Sequence, residues 1–421
     1  MLLAHGSGEA SAFPVDITYA LIGGSWALAI SFLVLAFAWK TPRLSPAKHR
    51  ATLPRLTRFA DAPLLREALG ALGVVLTVAA LVIGFAQRAD HHDPLVGTFF
   101  IWLWVGLVPL SLLFGPVARH LSPVRTVHRW VCRALGRPTE QGLVAYPTGL
   151  GRWPAAVGLF AFVWLELAVD EPGFTAVFAW CLVYLAVTAL GGVVFGDRWF
   201  GRADPFETYS TVIATLSPLG RDRGTRELVL RNPLNGLPTY GSGPGAVAVI
   251  SVLMGSTAFD AWSAVYGLHE AWARTALLLT FIVAVGVSFS LATMATGGVS
   301  RERRRAIPGR MAHTLIPIAV GYLIAHYMQY FVEDGQETLH RYLHVLALPE
   351  PDSWTPFTDH PTLLSVSAVA AIVLGHLLAV VSAHDAALRI LPRRHQLTGQ
   401  LALMLMMVGY TFAGLYLLFG G

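Results

Sequence analysis

Charge is what this sequence has least of. Asp, Glu, Lys and Arg make up 13% of its 421 residues, about half the roughly 25% of a soluble domain. A chain with so little charge cannot cover an ordinary water-facing surface. Cysteine is nearly missing too. Cys132 and Cys181 are the only two, and no Cys-x-x-Cys pair exists, which excludes a disulfide framework and a thiolate motif for zinc or haem attachment. Walker, Rossmann, nucleophile-elbow and His-Glu-x-x-His patterns are absent. There is no low-complexity tract and no internal repeat. A cleavable signal peptide is not expected, because the apolar run at Met1–Leu3 is too short for one.

What is abundant is apolar residue, 55% of the chain, gathered in runs near 20 residues long. Such runs match the roughly 30 Å hydrocarbon core of a bilayer. Ten spans are expected: Thr18–Trp39, Glu67–Gln87, Thr98–Pro116, Pro154–Asp170, Phe174–Gly196, Ala246–Trp262, Thr275–Thr296, Ala312–Val332, Leu363–Leu388 and Leu401–Phe419. Helix is the open structure that satisfies its own backbone in lipid. The expected fold is therefore all-α, a polytopic membrane helix bundle forming one transmembrane domain over residues 1–421.

The basic residues give the expected orientation. The loops after spans one, three, five, seven and nine hold 27 of the 30 Lys and Arg, leaving Arg88, Arg274 and Arg341 for the other side. By the positive-inside rule those five loops are cytoplasmic and both termini face outward. The net charge of +5 is then a mark of topology, and no nucleic-acid partner is expected. The run Arg301, Arg303, Arg304, Arg305 is placed to anchor its span at anionic headgroups. The longest cytoplasmic loop, 197–245, contains a moderately apolar stretch, Pro205–Leu219, suited to lie along the interface or to dip into the bundle. The outer loop 333–361, with a helical pattern over Glu337–Leu348, is a possible cap.

Four histidines fall at membrane depth: His313 and His326 in span eight, His376 and His384 in span nine. Ionisable groups there are costly, and they face cavities, bind metals or relay protons. At ~1.5 Å per residue His326 lies roughly 21 Å, and His376 roughly 18 Å, from the cytoplasmic edge. Asp260 and Glu166 reach a similar depth on their own spans. Two imidazoles and two carboxylates at one level suit a zinc- or iron-like divalent ion. The expected metal site is Asp260, His326 and His376, with Glu166 as fourth ligand or general base and Asp260 and Glu166 as the catalytic acids and bases. His313, His384 and Asp385 form a possible second site. Each histidine could equally be hydrogen-bonded to a neighbouring backbone.

A haem is a less favoured alternative. Two stacked haems need paired histidines on one face of each helix. The spacings of 13 and 8 residues rotate each pair apart by roughly 140° and 80°. One haem, or copper in a redox subunit, stays open, as does a proton-coupled transporter using the same acids and imidazoles. The transporter ranks last, since repeated halves are missing. Outside the spans, Asp90-His91-His92-Asp93, the pair His340 and His344, and His5 read as solvated polar residues. Trp102, Trp104 and Trp164 read as packing or interfacial anchors.

The stretch from Leu143 through Tyr146-Pro-Thr-Gly-Leu-Gly-Arg-Trp-Pro to Glu166 resembles the bacterial integral-membrane fenitrothion hydrolase family. So do Gly255-Ser-Thr-Ala-Phe-Asp260, the Ala312–Tyr327 stretch and Gly375-His-Leu-Leu-Ala-Val-Val-Ser-Ala-His384-Asp385. The likeness covers nearly the whole chain, although Ala261 stands where glycine commonly follows the aspartate. The resemblance implies a multi-pass protein of the bacterial inner membrane. It also implies hydrolysis of an apolar organophosphorus triester such as fenitrothion to a nitrophenol and a dialkyl thiophosphate, with the lipid bilayer as the phase that delivers substrate.

Overall fold

The computed structural model describes residues 17–88, 94–268 and 270–418. The cluster Asp90-His91-His92-Asp93 and His5 lie outside them. The protein is an all-α polytopic membrane bundle, 75% helical. In chain order its main helices are α1 (Ile17–Ala38), α2 (Pro63–Ala86), α3 (Pro94–Phe114), α4 (Trp153–Leu167), α5 (Phe174–Phe195), α6 (Pro205–Ala214), α7 (Ala246–Tyr266), α8 (Ala271–Met294), α9 (Arg301–Val345), α10 (Pro361–Ile390) and α11 (Leu401–Leu418).

Among the described residues nine of these are long and apolar enough to cross a membrane. The tenth expected span is α4. At 15 residues it is about 22 Å long, short of a ~30 Å hydrocarbon core. Its ends explain why. Pro154 sits in its first turn, and the Asp170-Glu171-Pro172 sequence follows its last, so neither end can extend.

The chain gathers into two compact units. One holds the described residues up to Pro46, then Leu237–Met328 and those from Pro356 onward. The other holds Ala47–Gly236 and Gln329–Thr355.

In the first unit α7 is the most enclosed helix, buried without interruption from Val249 to Thr257 and again at Phe259–Ala261. A helix apolar on all sides has to be central. Small residues let its neighbours close in. A methyl group on Gly255 would stand 2.5 Å from the Ile282 backbone of α8. Gly321 of α9 and Gly375 of α10 meet the same way, each glycine's missing Cβ pointing at the other's Cα at 3.3 Å. Beyond that crossing Ala325 packs with Ala368 and Ile372. Helices without a hydrophobic drive between them rely on such close backbone contact. Gly267, with φ of +54°, closes α7 in the left-handed region that glycine enters without strain.

One glycine of this unit gives a sharp test. The Tyr322 hydroxyl occupies the place where a Cβ on Gly414 would stand. We expect Gly414→Ala to destabilise the purified protein by about 1–3 kcal/mol, the usual overpacking cost. Adding Tyr322→Phe, which removes the obstructing hydroxyl, should recover most of that loss. Thermal unfolding in detergent reads both, and a double variant no better than the single one refutes the steric account.

The second unit packs around aromatic rings. Trp104 of α3 stacks on Tyr209 of α6 at 4.4 Å, and Phe162 of α4 lies 4.8 Å from Trp104. Trp104 is thus a core residue. The Pro205–Leu219 stretch resolves its two expected modes in favour of the inner one. Asp204 caps α6 by accepting from the Phe206 and Glu207 amides, and all but one residue of α6 are buried. Ser210 of α6 bonds Ser111 of α3 at 2.8 Å. After α6 a three-stranded antiparallel sheet of order β1-β3-β2 forms from Ala51–Thr52, Leu219–Arg221 and Leu228–Leu230. At the far end of α9 the helical pattern expected over Glu337–Leu348 is Gly335–Val345. There the Gln336 side chain bonds both backbone groups of Trp354.

Candidate functional site

Asp260 lies in the last third of α7, 6% exposed. Its Oδ2 accepts two hydrogen bonds from consecutive residues of α9. His326 Nε2 donates at 2.8 Å and the Tyr327 hydroxyl donates at 2.8 Å. Neighbours on a helix point ~100° apart, so the two donors straddle the carboxylate from either side. Their rings sit edge to face, 4.9 Å between centroids. The His326 and Asp260 side chains are 9% and 8% exposed. A carboxylate this deep in an apolar helix needs such donors, since an unpaired charge there costs several kcal/mol. Immediately past this pair α9 loosens into a π-helical turn at Tyr330–Asp334, a local irregularity often found beside functional groups.

His376 does not share the level of His326. The two helices are antiparallel neighbours that cross at Gly321 and Gly375, with Ala325 level with the turn before Ile372. His326 is then about six residues, or roughly 9 Å, along the axis from His376. Residue counts from the span edges put them ~3 Å apart, because such counts treat the edges as level. His376 is fully buried and donates from Nδ1 to the carbonyl of Ile372 at 2.9 Å, one turn back. That bond fixes its tautomer, and its Nε2 is buried without a partner. The Tyr322 ring stands edge-on to it at 6.1 Å.

Glu166 belongs to the second unit, on α4. Its carboxylate is close enough to Tyr209 to help hold that phenol protonated, although burial is the larger cause. Among the described residues no three His, Cys, Asp or Glu side chains gather closely enough to hold a metal ion. Asp260 and His326 supply two donors, whereas a catalytic zinc takes three protein ligands. Among the described residues these two are the expected ligands that the structure brings into contact.

His384 and Asp385 are engaged with their own partners. His384 Nδ1 faces the Gln400 side-chain oxygen at 3.0 Å and its Nε2 faces the Trp39 carbonyl at 2.8 Å. Gln400 gives its amide NH2 to the Gln396 carbonyl, which fixes which end of that amide meets the ring. Both imidazole nitrogens therefore point at acceptors. Asp385 accepts from the backbone amides of Arg43 and Leu44 and from Arg389 Nη2 at 2.6 Å. Together these bonds fasten the segment after α1 to the end of α10. His313, in a 3-10 turn at Ala312–Leu315, lies beside a cleft with Asp385 but not bonded to it. Of the pair His340 and His344, the second is exposed and bonds Glu350 at 3.1 Å.

Sequence reasoning missed Tyr327. Its only signal was adjacency to His326, which on a helix ordinarily points the next side chain elsewhere. It also missed a buried ion pair in the second unit. Arg125 grips Glu207 through Nε at 3.0 Å and Nη2 at 3.1 Å, with Asp197 at 3.2 Å from Nη1. Burial pushes the Glu207 carboxyl up to about 7, with Arg125 pulling against that rise. Cys132 and Cys181 are both free. Searches of protein-family models, curated proteins and solved structures each find no match to this chain.

Proposed function

We propose that this protein is a membrane-embedded hydrolase of apolar organophosphorus triesters, with His326 as general base and Asp260 as the carboxylate that orients it. The observation that carries this reading is the 2.8 Å bond between two nine-tenths-buried side chains, His326 and Asp260. With Nε2–H given to the carboxylate, Nδ1 keeps the lone pair. It can take a proton from a water as the water oxygen bonds to phosphorus. The P–O aryl bond breaks with its electron pair on the nitrophenolate, a weak base that needs no acid to leave. Asp260, held also by Tyr327, stabilises the imidazolium formed. An aryl triester partitions into lipid, and a base at membrane depth would meet it there. By the same reading the protein resides in the bacterial inner membrane, with its arginine-rich loops in the cytoplasm.

The metal-dependent form of this hydrolysis needs a third donor to join Asp260 and His326 when substrate binds. Nitrophenol release from fenitrothion by the purified protein separates the two forms. Release that survives chelation supports the imidazole route, and release that stops on chelation and returns with zinc supports the metal route. No release under either condition refutes the hydrolase.

A second reading rests on His376. Its carbonyl-fixed tautomer and unpartnered Nε2 are what a histidine ligand to haem or copper presents. A redox subunit of that kind would show a Soret band or bound copper in detergent-purified protein, lost in His376→Ala. A colourless, copper-free preparation removes it.

A further inference from the structure

The arginine-bearing ends of α9 and α10 enclose a cleft of about 210 Å³ that the proposed hydrolysis does not use. Ser242, Arg310, His313, Ser382, Asp385 and Arg389 line it. A second cavity of about 250 Å³ shares Arg310 and Arg389 with it and adds Arg303. Three guanidinium groups therefore border the two spaces, against one carboxylate. That carboxylate, Asp385, is already matched by Arg389 and two backbone amides. Arg303 and Arg310 have no carboxylate partner among the described residues. Ser382 supplies an independent sign. Its side chain is 1% exposed, it lines the cleft, and its hydroxyl has no partner. A buried hydroxyl left alone costs about 1–3 kcal/mol, so an acceptor is expected opposite it.

Exposed arginine forks beside a buried unpartnered hydroxyl, around a space this size, match a compact anion with several oxygens. Guanidinium pairs bidentately with phosphate. The remaining walls, Leu44, Ile307 and Ile390, are apolar. Arg389 occupies the last turn of α10, at the level where a span meets headgroups.

We propose that Arg303, Arg310, Arg389 and Ser382 form a binding site for a phosphoryl oxyanion, supplied by an anionic lipid headgroup or by free phosphate. The test uses the full-length protein in a zwitterionic detergent. Thermal unfolding is followed while phosphatidylglycerol, phosphatidylcholine or inorganic phosphate is titrated at constant ionic strength. Saturable stabilisation by phosphatidylglycerol but not phosphatidylcholine assigns the lipid source. Saturable stabilisation by inorganic phosphate assigns the soluble one. In either case Arg310→Gln should weaken the response on the order of tenfold, as loss of a charge-assisted contact does. Ser382→Ala should weaken it without destabilising the unliganded protein, because its hydroxyl has no bond to lose. Arg305→Gln, an exposed neighbour outside both cavities, is the control. No saturable response, or an Arg305→Gln effect equal to that of Arg310→Gln, overturns the site.

Discussion

Asp260→Asn should lower the rate of nitrophenol release from fenitrothion by on the order of 10²–10⁴-fold, the range that a positioned general base contributes. The substitution preserves size and leaves Tyr327 a partner, so the fold should persist. What changes is the tautomer. An asparagine can offer its NH2 to His326 Nε2, and the ring proton then moves to Nδ1. The nitrogen that should accept the water's proton would already be protonated. His326→Ala should be as slow as Asp260→Asn, and the two together no slower than either, because they act as one unit. Tyr327→Phe removes one of the two bonds to Oδ2 and should cost about tenfold, near the value of a hydrogen bond to a charged group. KM should move little in all four, since none is assigned to substrate binding. Variants that keep their melting temperature and also keep their rate within a factor of two sink the assignment of His326 as base.

The Asp260–His326 pair was legible in the sequence and the wider constellation was not, for a physical reason. Depth along a span follows from counting residues at 1.5 Å each, and that count brought Asp260 and His326 to one level. It says nothing of how far two helices slide past one another. Gly321 and Gly375 set that offset by letting backbones touch. Both glycines were visible, but pairing them needs knowledge of which helices are neighbours. Glu166 lies on α4, in the second unit. Membership of a compact unit is decided by packing, and α4 packs against α6 in the second unit. Nine of ten spans were legible because twenty apolar residues have few other uses. The tenth, over α4, was apolar enough but ended early at its prolines and acids. In the second unit, Glu207 sits in a segment whose buried helix was weakly signalled, 82 residues from Arg125. No spacing rule links residues so distant in sequence.

That ion pair yields the largest stability effect expected in the protein, and the two partners should not be equivalent. Arg125 and Glu207 are 8% and 4% exposed in their side chains, and breaking such a pair typically costs about 3–5 kcal/mol. The cost falls on whichever charge is left behind. Arg125→Met leaves Glu207, whose carboxyl is already pushed up to about 7 by burial; without the guanidinium it can take up a proton and become neutral. Glu207→Leu leaves Arg125, which cannot shed its charge at any ordinary pH. Its other carboxylate, Asp197, is 30% exposed and holds it through one nitrogen only. Thermal unfolding at pH 7.5 should therefore show Glu207→Leu as the more destabilised variant. The wild-type protein carries a matching pH dependence. Glu207 binds a proton more readily folded than unfolded, where it has the ordinary glutamate value near 4.5. Its contribution to stability is thus complete below pH 4.5 and falls away as pH rises through 7. Glu207→Gln, uncharged throughout, should flatten that part of the stability curve. Equal destabilisation by Arg125→Met and Glu207→Leu, with the curve unchanged in Glu207→Gln, would mean the pair is bonded as drawn but does not set the protonation of Glu207.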